Sequence, residues 1–364
     1  MWAINIGHFS DPVFGGVWKG AIYYFKIAVS LAVAAIPEGL PAVVTTCLAL
    51  GTQRMAAKNA IVTDLPAVET LGCTSVICSD KTGTLTTNQM SVQRFFVLGR
   101  GEEILEFDVE GDTYAPVNDD NTPFRVSSLA DGSVVALPVE AHAGIRETAV
   151  ICGLCNDSSV TVNDAGKFEK VGQSTEAAMK VLVEKLGLPT RAENDALRAL
   201  TPQVRAIACN KYWERTYQKQ FTCEFNRDRK SMSVLVADAD GRSRLLVKGA
   251  WDNVIARCNT VYAGGKTVPL TAALQERLNE KILSYCTGKQ LFRCLALAIV
   301  DNPKFTLEEL QAATPEDFER FESGMTFVGV VGILDPPRKE VRSAIATCQG
   351  AGIDVIVITG DNIV

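Results

Sequence analysis

The stretch Thr74-Ser-Val-Ile-Cys-Ser-Asp-Lys-Thr-Gly-Thr-Leu-Thr86 (TSVICSDKTGTLT) decides how the chain is expected to fold. Its first six residues form a short apolar run, which is typical of a strand. The strand ends at Asp80, so a carboxylate stands at its carboxyl end and is followed at once by Lys81, hydroxyl side chains and a glycine. Open α/β sheets carry their sites at the carboxyl ends of strands. The stretch therefore predicts an α/β fold with a site at Asp80.

Asp80 is a candidate nucleophile for phosphoryl transfer. A carboxylate can accept a phosphoryl group, glycine and exposed amides let the backbone approach the phosphate, and Lys81 or a metal ion offsets the charge. A Walker-type nucleotide motif is the competing interpretation, because Gly264-Gly-Lys-Thr267 resembles its end. Thr260 occupies the position that requires glycine, so this alternative is excluded. A plain polar turn after a strand explains the composition of DKTGTLT poorly.

A strand, a helix and another strand are predicted at the end of the chain. Thr326–Leu334 (TFVGVVGIL) is typical of a buried strand, Pro337 opens a helical pattern, and Asp354–Thr359 is a second apolar run. This spacing predicts a parallel βαβ unit. Asp361 follows its last strand, where such sheets carry their sites.

The region between these α/β parts has a mixed character. A hairpin with a turn at Asp240-Gly241 is predicted from alternating apolar residues on either side. The predicted strands are Lys230–Ala237 and Ser243–Val247, and the predicted helices are Thr175–Leu186 and Thr306–Ala312. The region is therefore expected to form an α+β insertion.

The most apolar run of the chain, Ile27–Gly51, contains two prolines and one charge, Glu38. The run is long enough to cross a hydrocarbon layer of roughly 30 Å as a helix. Pro37 removes a backbone donor and should free the carbonyl of Val33, while Pro41 should free that of Pro37. Freed carbonyls beside a carboxylate favour an oxygen-lined cation site, and calcium takes about six to eight oxygen ligands. A kinked helix with a snorkelling or helix-packing glutamate remains the alternative.

Composition narrows the classes of function. A net charge of −6 and a pI near 5.2 give no basic surface for nucleic acid. The amino-terminal residues lack the basic start of a cleavable signal, so the apolar run is expected to be the membrane anchor. Eleven scattered cysteines suit a reducing compartment. Cys152-Gly-Leu-Cys155 has the spacing of a redox or zinc site, although buried free thiols are the favoured interpretation.

The motifs together resemble a known family. DKTGTLT resembles the phosphorylation signature of P-type ATPases, and the chain is similar over nearly its whole length to calcium pumps of the sarco/endoplasmic-reticulum type, most closely from Ile22 to Met90. The resemblance implies that Asp80 is the phosphorylated aspartate and that Thr82 helps hold Mg²⁺ and phosphate. It also makes Asp335-Pro-Pro-Arg338 a loop on the hinge side of the phosphorylation domain.

The resemblance implies further ligands. The PEGLP stretch is similar to a broken membrane helix whose calcium ligands would be the carbonyls of Val33, Ala34 and Ile36 and the side chain of Glu38. Thr359, Gly360 and Asp361 resemble the magnesium-binding stretch. The residues implied to contact ATP are Glu176, Phe225, Arg227, Lys230, Lys248 and Arg293. Two departures are Gln173, where the family usually has glutamate, and Lys248-Gly-Ala-Trp-Asp252 in place of KGAPE.

The implied fold is a truncated haloacid-dehalogenase-like, Rossmannoid phosphorylation domain with a large inserted α+β nucleotide-binding domain, preceded by one proline-broken transmembrane helix. The expected boundaries are residues 1–19 for a luminal segment, 20–51 for the membrane helix, 52–90 and 326–364 for the phosphorylation domain, and 91–325 for the nucleotide-binding domain. The chain ends at Val364, before the later GDGxNDxP stretch of the family. The remaining pump domains are therefore expected to lie outside it.

The expected function is part of an ATP-driven pump that moves calcium across the endoplasmic or sarcoplasmic reticulum membrane, with its bulk in the cytosol. Its expected cofactors and partners are ATP, Mg²⁺, transported Ca²⁺ and membrane lipid. PEGLP favours calcium over sodium and potassium but is shared with manganese-transporting relatives. A membrane-anchored nucleotide-binding fragment without turnover, and a soluble phosphatase of the same nucleophilic-aspartate superfamily, are the two alternative functions.

Overall fold

The computed structural model describes residues 2–35, 39–118, 122–164, 166–287 and 290–358. The chain divides into two compact units. The first contains the residues up to Cys78 together with Ala344–Ile356, and the second is formed mainly by Ser79–Ser343.

The secondary structure alternates between helices and strands along most of the chain. The helices are α1 (Val17–Ala35), α2 (Gly39–Ala56), α3 (Pro66–Gly72), α4 (Pro138–Ala141), α5 (Ala143–Leu154), α6 (Ser174–Leu186), α7 (Arg191–Leu197), α8 (Pro202–Arg205), α9 (Ala208–Thr216), α10 (Trp251–Ala256), α11 (Ala272–Thr287), α12 (Leu307–Ala312), α13 (Phe318–Phe321) and α14 (Val341–Gly350). The strands are β1 (Val76–Asp80), β2 (Ser91–Leu98), β3 (Ile104–Val109), β4 (Val126–Ser128), β5 (Ser159–Val162), β6 (Phe168–Val171), β7 (Tyr217–Asn226), β8 (Ser231–Asp238), β9 (Ser243–Ala250), β10 (Cys258–Ala263), β11 (Lys266–Pro269), β12 (Arg293–Asp301), β13 (Met325–Leu334) and β14 (Asp354–Ile358).

The first unit contains the apolar helices. Among the described residues, the segment Val17–Ala56 is long and apolar enough to cross a membrane, and its most apolar window is not buried within the protein. Pro41 is the third described residue of α2. The predicted break at Pro37, with Ile36 and Glu38, lies outside the described residues.

The second unit is built on a ten-stranded sheet within the described residues, in the order β4-β3-β2-β10-β13-β12-β9-β8-β7, with β11 added beside β10. Helices cover both faces of this sheet. Phe95 packs into a core with α5, α6 and α9, whereas its neighbour Phe96 packs into a second core with α10 and α11. Successive residues of a strand point to opposite faces, so each neighbour contributes to a different core.

The predicted parallel βαβ unit at the end of the chain is wrong. β13 pairs antiparallel with β12 and β2 and parallel with β10 in the large sheet, whereas β14 belongs to a two-stranded sheet with β1. The run TFVGVVGIL is indeed a buried strand. Because helices cover both faces of the large sheet, its central strand is apolar throughout, a pattern also expected for a strand of a parallel α/β sheet.

The local predictions in the insertion are confirmed. β8 and β9 form the predicted antiparallel hairpin, with Ala237 opposite Ser243. Gly241 occupies the turn with a φ of 78°, a value that glycine adopts without a steric penalty. The predicted helices are α6 and α12, and α12 begins with a capping box between Thr306 and Glu309.

The CxxC pair lies in a core rather than at a surface site. Cys152 and Cys155 are both fully buried at the end of α5, and both are free thiols. Burial raises the pKa of each thiol to about 12. Among the described residues, no group of three metal-ligating side chains is found. The burial of both thiols agrees with the favoured interpretation.

We expect Cys152 and Cys155 to resist alkylation by iodoacetamide in the folded protein at pH 8. The thiolate is the reactive form, and a pKa near 12 lowers its population by about a thousandfold relative to an ordinary cysteine. Mass spectrometry after a timed reaction would measure this, with the exposed Cys73 and Cys78 as internal controls. Modification of Cys152 as fast as Cys73 would contradict the expected protection.

Candidate functional site

Four neighbouring strands of the large sheet have one of their ends on the same side of the sheet, where β7 and β9 finish and β8 and β12 begin. We call this side the basic edge. It is defined by Phe225, Lys230, Lys248 and Arg293, carried by or next to β7, β8, β9 and β12. The register supports this arrangement. Leu295 of β12 lies opposite Ala250 of β9, and the N–H of Ala250 donates to the carbonyl of Lys230 at 2.9 Å. Residues far apart in the sequence are therefore brought to one edge by strand pairing.

Phe225 presents its ring to solvent. It follows Glu224 at an irregularity in β7, where Cys223 lies opposite Ser233 but Asn226 lies opposite Ser231. β7 thus has one more residue than β8 over this interval, which is a β-bulge. Bulges bend a strand and re-aim side chains, and Phe225 is 62% exposed. An exposed phenyl face can stack on a planar base.

Lys248 and Glu176 form an ion pair beneath the basic edge. Lys248 Nζ lies 2.7 Å from Glu176 Oε1, and the two side chains are 7% and 16% exposed. Glu176 Oε2 accepts a hydrogen bond from Ser158 Oγ at 3.1 Å and one from the N–H of Asp157 at 3.3 Å. α6 supplies the carboxylate and β9 the ammonium group. The pair places two charged, largely desolvated groups where a polar ligand atom can be recognised.

The other basic residues of the site are exposed. Arg227 and Lys230 lie in the turn between β7 and β8, and Arg293 begins β12. Lys230 Nζ lies 3.9 Å from Asp252 Oδ2, with both side chains more than half exposed. Such a pair is loose and screened by solvent. Lys230 can therefore leave Asp252 to meet a phosphate.

The sequence prediction did not include a buried charge cluster behind the β7–β8 turn. Glu322 is fully buried and is hydrogen-bonded to Arg229, Arg257 and Ser231. Arg229 lies between Arg227 and Lys230 in the sequence, where a surface charge is expected. Arg229 and Glu322 are 93 positions apart, and no local sequence pattern predicts that they pair.

The stretch after Asp80 folds into a compact turn. Asp80 is exposed at the end of β1, and the N–H of Thr86 donates to the carbonyl of Lys81 at 3.0 Å. Gly83 has a φ of 78°, and its N–H donates to Thr86 Oγ1 at 3.1 Å. The turn leaves the Asp80 carboxylate accessible, as a phosphoryl acceptor requires. Thr82 is exposed in the same turn.

The loop Asp335–Arg338 braces this turn. Thr86 Oγ1 donates to Asp335 Oδ2 at 2.6 Å, and Arg338 Nη2 donates to the carbonyl of Gly83 at 2.8 Å. The N–H of Arg338 also donates to the carbonyl of Leu85 at 2.9 Å. These contacts join distant parts of the sequence, since Thr86 and Asp335 are 249 positions apart. The predicted hinge-side loop and the DKTGTLT turn are thus one structural element.

A comparison with protein families decides what the chain is related to. Residues 144–340, more than half of the 364 residues, match the family model of the P-type ATPase cytoplasmic domain N. The chain belongs to the P-type ATPase family. The matched region contains Glu176, Phe225, Lys248 and Arg293, so the basic edge lies within the nucleotide-binding domain of a P-type ATPase.

Several site residues of the P-type ATPase motifs were predicted but cannot be placed. Thr359, Gly360 and Asp361 lie outside the described residues, as do Ile36 and Glu38. Val33 and Ala34 lie in the last turn of α1. The individual roles assigned to site residues therefore remain predictions, including those of Asp80, Lys81 and Thr82.

Mg²⁺ is the metal that this family implies. The described part of the site offers the exposed Asp80 carboxylate and the Thr82 backbone, which are hard oxygen donors. Mg²⁺ is usually bound by one or two carboxylates together with waters and substrate phosphates. The donors at Asp80 fit that requirement in chemical type. When bound, Mg²⁺ would offset the negative charge of the phosphates.

Proposed function

We propose that the chain binds ATP at the basic edge and accepts its γ-phosphoryl group on Asp80, as part of a calcium-transporting P-type ATPase. One observation carries the nucleotide part of the proposal. An exposed phenyl ring, a desolvated lysine–glutamate pair and exposed basic side chains are collected at one sheet edge. A base can stack on Phe225, a polar base edge can meet the Lys248–Glu176 pair, and phosphates can meet Lys230, Arg227 and Arg293.

The proposed chemistry is an in-line displacement at the γ-phosphorus. One oxygen of the Asp80 carboxylate forms a bond to phosphorus while the bond to the bridging oxygen of ADP breaks, which leaves an acyl phosphate and ADP. Lys81 is proposed to offset the developing negative charge. The exposed position of Asp80 at the end of β1 and the compact turn after it support this role.

Calcium is proposed as the transported ion on the basis of PEGLP in the apolar segment. A carboxylate and carbonyl oxygens are the ligands that calcium prefers. Manganese is the second candidate because the motif is shared. The proposed location is the endoplasmic or sarcoplasmic reticulum membrane, with the second unit in the cytosol, since phosphorylation of Asp80 needs cytosolic ATP. The match to domain N supports the pump over a soluble phosphatase.

We expect Phe225→Ala to weaken ATP binding by the full-length protein by about tenfold, since base–aromatic stacking contributes roughly 1–3 kcal/mol. Isothermal titration with ATP would measure the dissociation constant. Val204→Ala is a matched control because Val204 is also exposed, at 49%, and lies in α8 of the same unit. An unchanged dissociation constant for Phe225→Ala, or no ATP binding by the unsubstituted protein, would overturn the nucleotide assignment.

A further inference from the structure

The shape of the β7 bulge decides where Phe225 points. Phe225 is 62% exposed, so packing against neighbouring side chains covers only a minor part of it. Lys230, at the end of the same turn, has a φ of 50°, in the left-handed region that non-glycine residues rarely adopt. A strained turn and a bulge need external contacts to keep one conformation.

Arg229 supplies those contacts from inside the turn. Its Nη2 donates to the carbonyls of Cys223 and Glu224, the two residues that precede Phe225. The bulge removes regular ladder partners at this point, and a buried carbonyl without a partner is costly. The Arg229 side chain is only 3% exposed. The guanidinium therefore replaces ladder hydrogen bonds and holds the backbone on one side of Phe225.

The side chain of Glu322 fixes the position of the Arg229 guanidinium. Glu322 Oε1 accepts from Arg229 Nη1 at 2.6 Å, and Glu322 Oε2 accepts from Arg257 Nη1 at 2.7 Å and from Ser231 Oγ at 2.6 Å. The carboxylate is fully buried. Ser231 begins β8 on the far side of the turn. The carboxylate of Glu322, which lies three residues before β13, is thus hydrogen-bonded to Arg229 within the β7–β8 turn and to Ser231 directly after it.

Arg257, the residue directly after α10, completes the cluster. Its Nη2 donates to Ser231 Oγ at 3.1 Å and to the carbonyl of Arg229 at 3.3 Å, and its Nε donates to the carbonyl of Asn253 at 3.0 Å. Two guanidinium groups share one buried carboxylate, and hydrogen bonds to charged groups are among the stronger ones in proteins. The cluster is therefore rigid and specific in geometry.

We propose that Glu322 is a positioning residue for nucleotide binding, acting through Arg229 to hold the β7 bulge in the shape that turns Phe225 outward. When Glu322 carries no charge, Arg229 is held less firmly, and the carbonyls of Cys223 and Glu224 lose a donor in a fixed position. The bulge then samples other conformations, and ATP must order it on binding, which lowers affinity. The inference rests on the proposed ATP binding at the basic edge.

The test uses the full-length protein with Glu322→Gln, Phe225→Ala and the double variant, titrated with ATP. Glu322→Gln is expected to weaken binding by about tenfold. Adding Phe225→Ala to it should have much less effect than Phe225→Ala alone, because the two changes act on one contact. A dissociation constant is measured on the folded molecules, so a purely structural role would lower the number of sites and leave the constant unchanged.

Glu147→Gln is the matched control. Glu147 also forms a largely buried ion pair with an arginine, Arg244, at 2.8 Å, but Arg244 lies at the opposite end of β9 from the basic edge. Glu147→Gln should therefore leave the dissociation constant for ATP unchanged. Hydrogen exchange provides a second readout. Glu322→Gln should speed the exchange of amides in residues 222–230, while the β8–β9 turn at residues 238–242 keeps its rate.

Each outcome decides the inference. Equal ATP affinity of Glu322→Gln and the unsubstituted protein, or fully additive effects with Phe225→Ala, would overturn it while leaving the proposed function in place. No ATP binding by the unsubstituted protein would instead overturn the proposed function. If Glu322→Gln fails to accumulate, Ser231→Ala removes one hydrogen bond from the same carboxylate and should weaken binding by about threefold. Unchanged affinity in that variant would also overturn the inference.

Discussion

Asp80→Asn is expected to abolish the acid-stable phosphoenzyme of the full-length protein, to below about one thousandth of its normal level. The carboxylate oxygen of Asp80 is the proposed nucleophile, and the amide that replaces it is neutral and forms no acyl phosphate. The measurement is the incorporation of label from γ-labelled ATP in the presence of Mg²⁺ and Ca²⁺, followed by an acid quench. ATP binding should persist, since Asp80 is not part of the basic edge.

Asp354→Asn is the control for this experiment. Asp354 is also exposed and begins β14, the partner of β1 in the two-stranded sheet. It should leave the phosphoenzyme level largely unchanged. Normal labelling of Asp80→Asn would show that another residue accepts the phosphoryl group. Labelling that is supported by Mn²⁺ but not by Ca²⁺ would move the proposed ion from calcium to manganese.

The second large effect is expected at the ion pair beneath the basic edge. Lys248→Met leaves the Glu176 carboxylate largely buried without its cation, which should lower the free energy of unfolding by about 2–4 kcal/mol. Glu176→Gln should cost less, because the amide oxygen still accepts from Lys248. The double variant should recover part of the loss, with a coupling energy of about 1–3 kcal/mol. Pulse proteolysis across a urea series measures the folded fraction of each protein.

The matched control is Lys180→Met in α6. Lys180 Nζ lies 3.1 Å from Glu214 Oε1, but the Glu214 side chain is 52% exposed, so losing the pair should cost less than about 1 kcal/mol. Strict additivity of the Lys248 and Glu176 changes would mean that the ion pair contributes nothing of its own. ATP affinity should fall in all three variants of the cycle and stay unchanged in Lys180→Met.

Structural elements that depend on residues close together in the sequence were predicted correctly. Alternation of apolar residues around Asp240-Gly241 identified the β8–β9 hairpin, and α12 begins directly after Thr306, its N-cap residue. The family also followed from contiguous motifs, and the match to domain N confirms it. Hydrogen-bonded turns and helix caps depend on residues a few positions apart, so a single sequence carries enough information to predict them.

The partners of β13 could not be predicted in this way. TFVGVVGIL indicated a buried strand, but an apolar strand covered on both faces looks the same whether its neighbours are parallel or antiparallel. The expected βαβ unit was therefore wrong, although the order of strand, helix and strand was right. The choice of β12, β2 and β10 as neighbours depends on how the whole sheet assembles.

The sequence by itself determined the family, the short-range elements and the chemical types at the proposed sites, such as a carboxylate at a strand end and an aromatic residue close to basic residues. Tertiary structure alone decided which charges meet. Lys248 pairs with Glu176 across 72 positions, and Arg229 pairs with Glu322 across 93. The physical reason is that burial makes an unpaired charge costly but does not specify its partner. The partner is set by which strands and helices pack together.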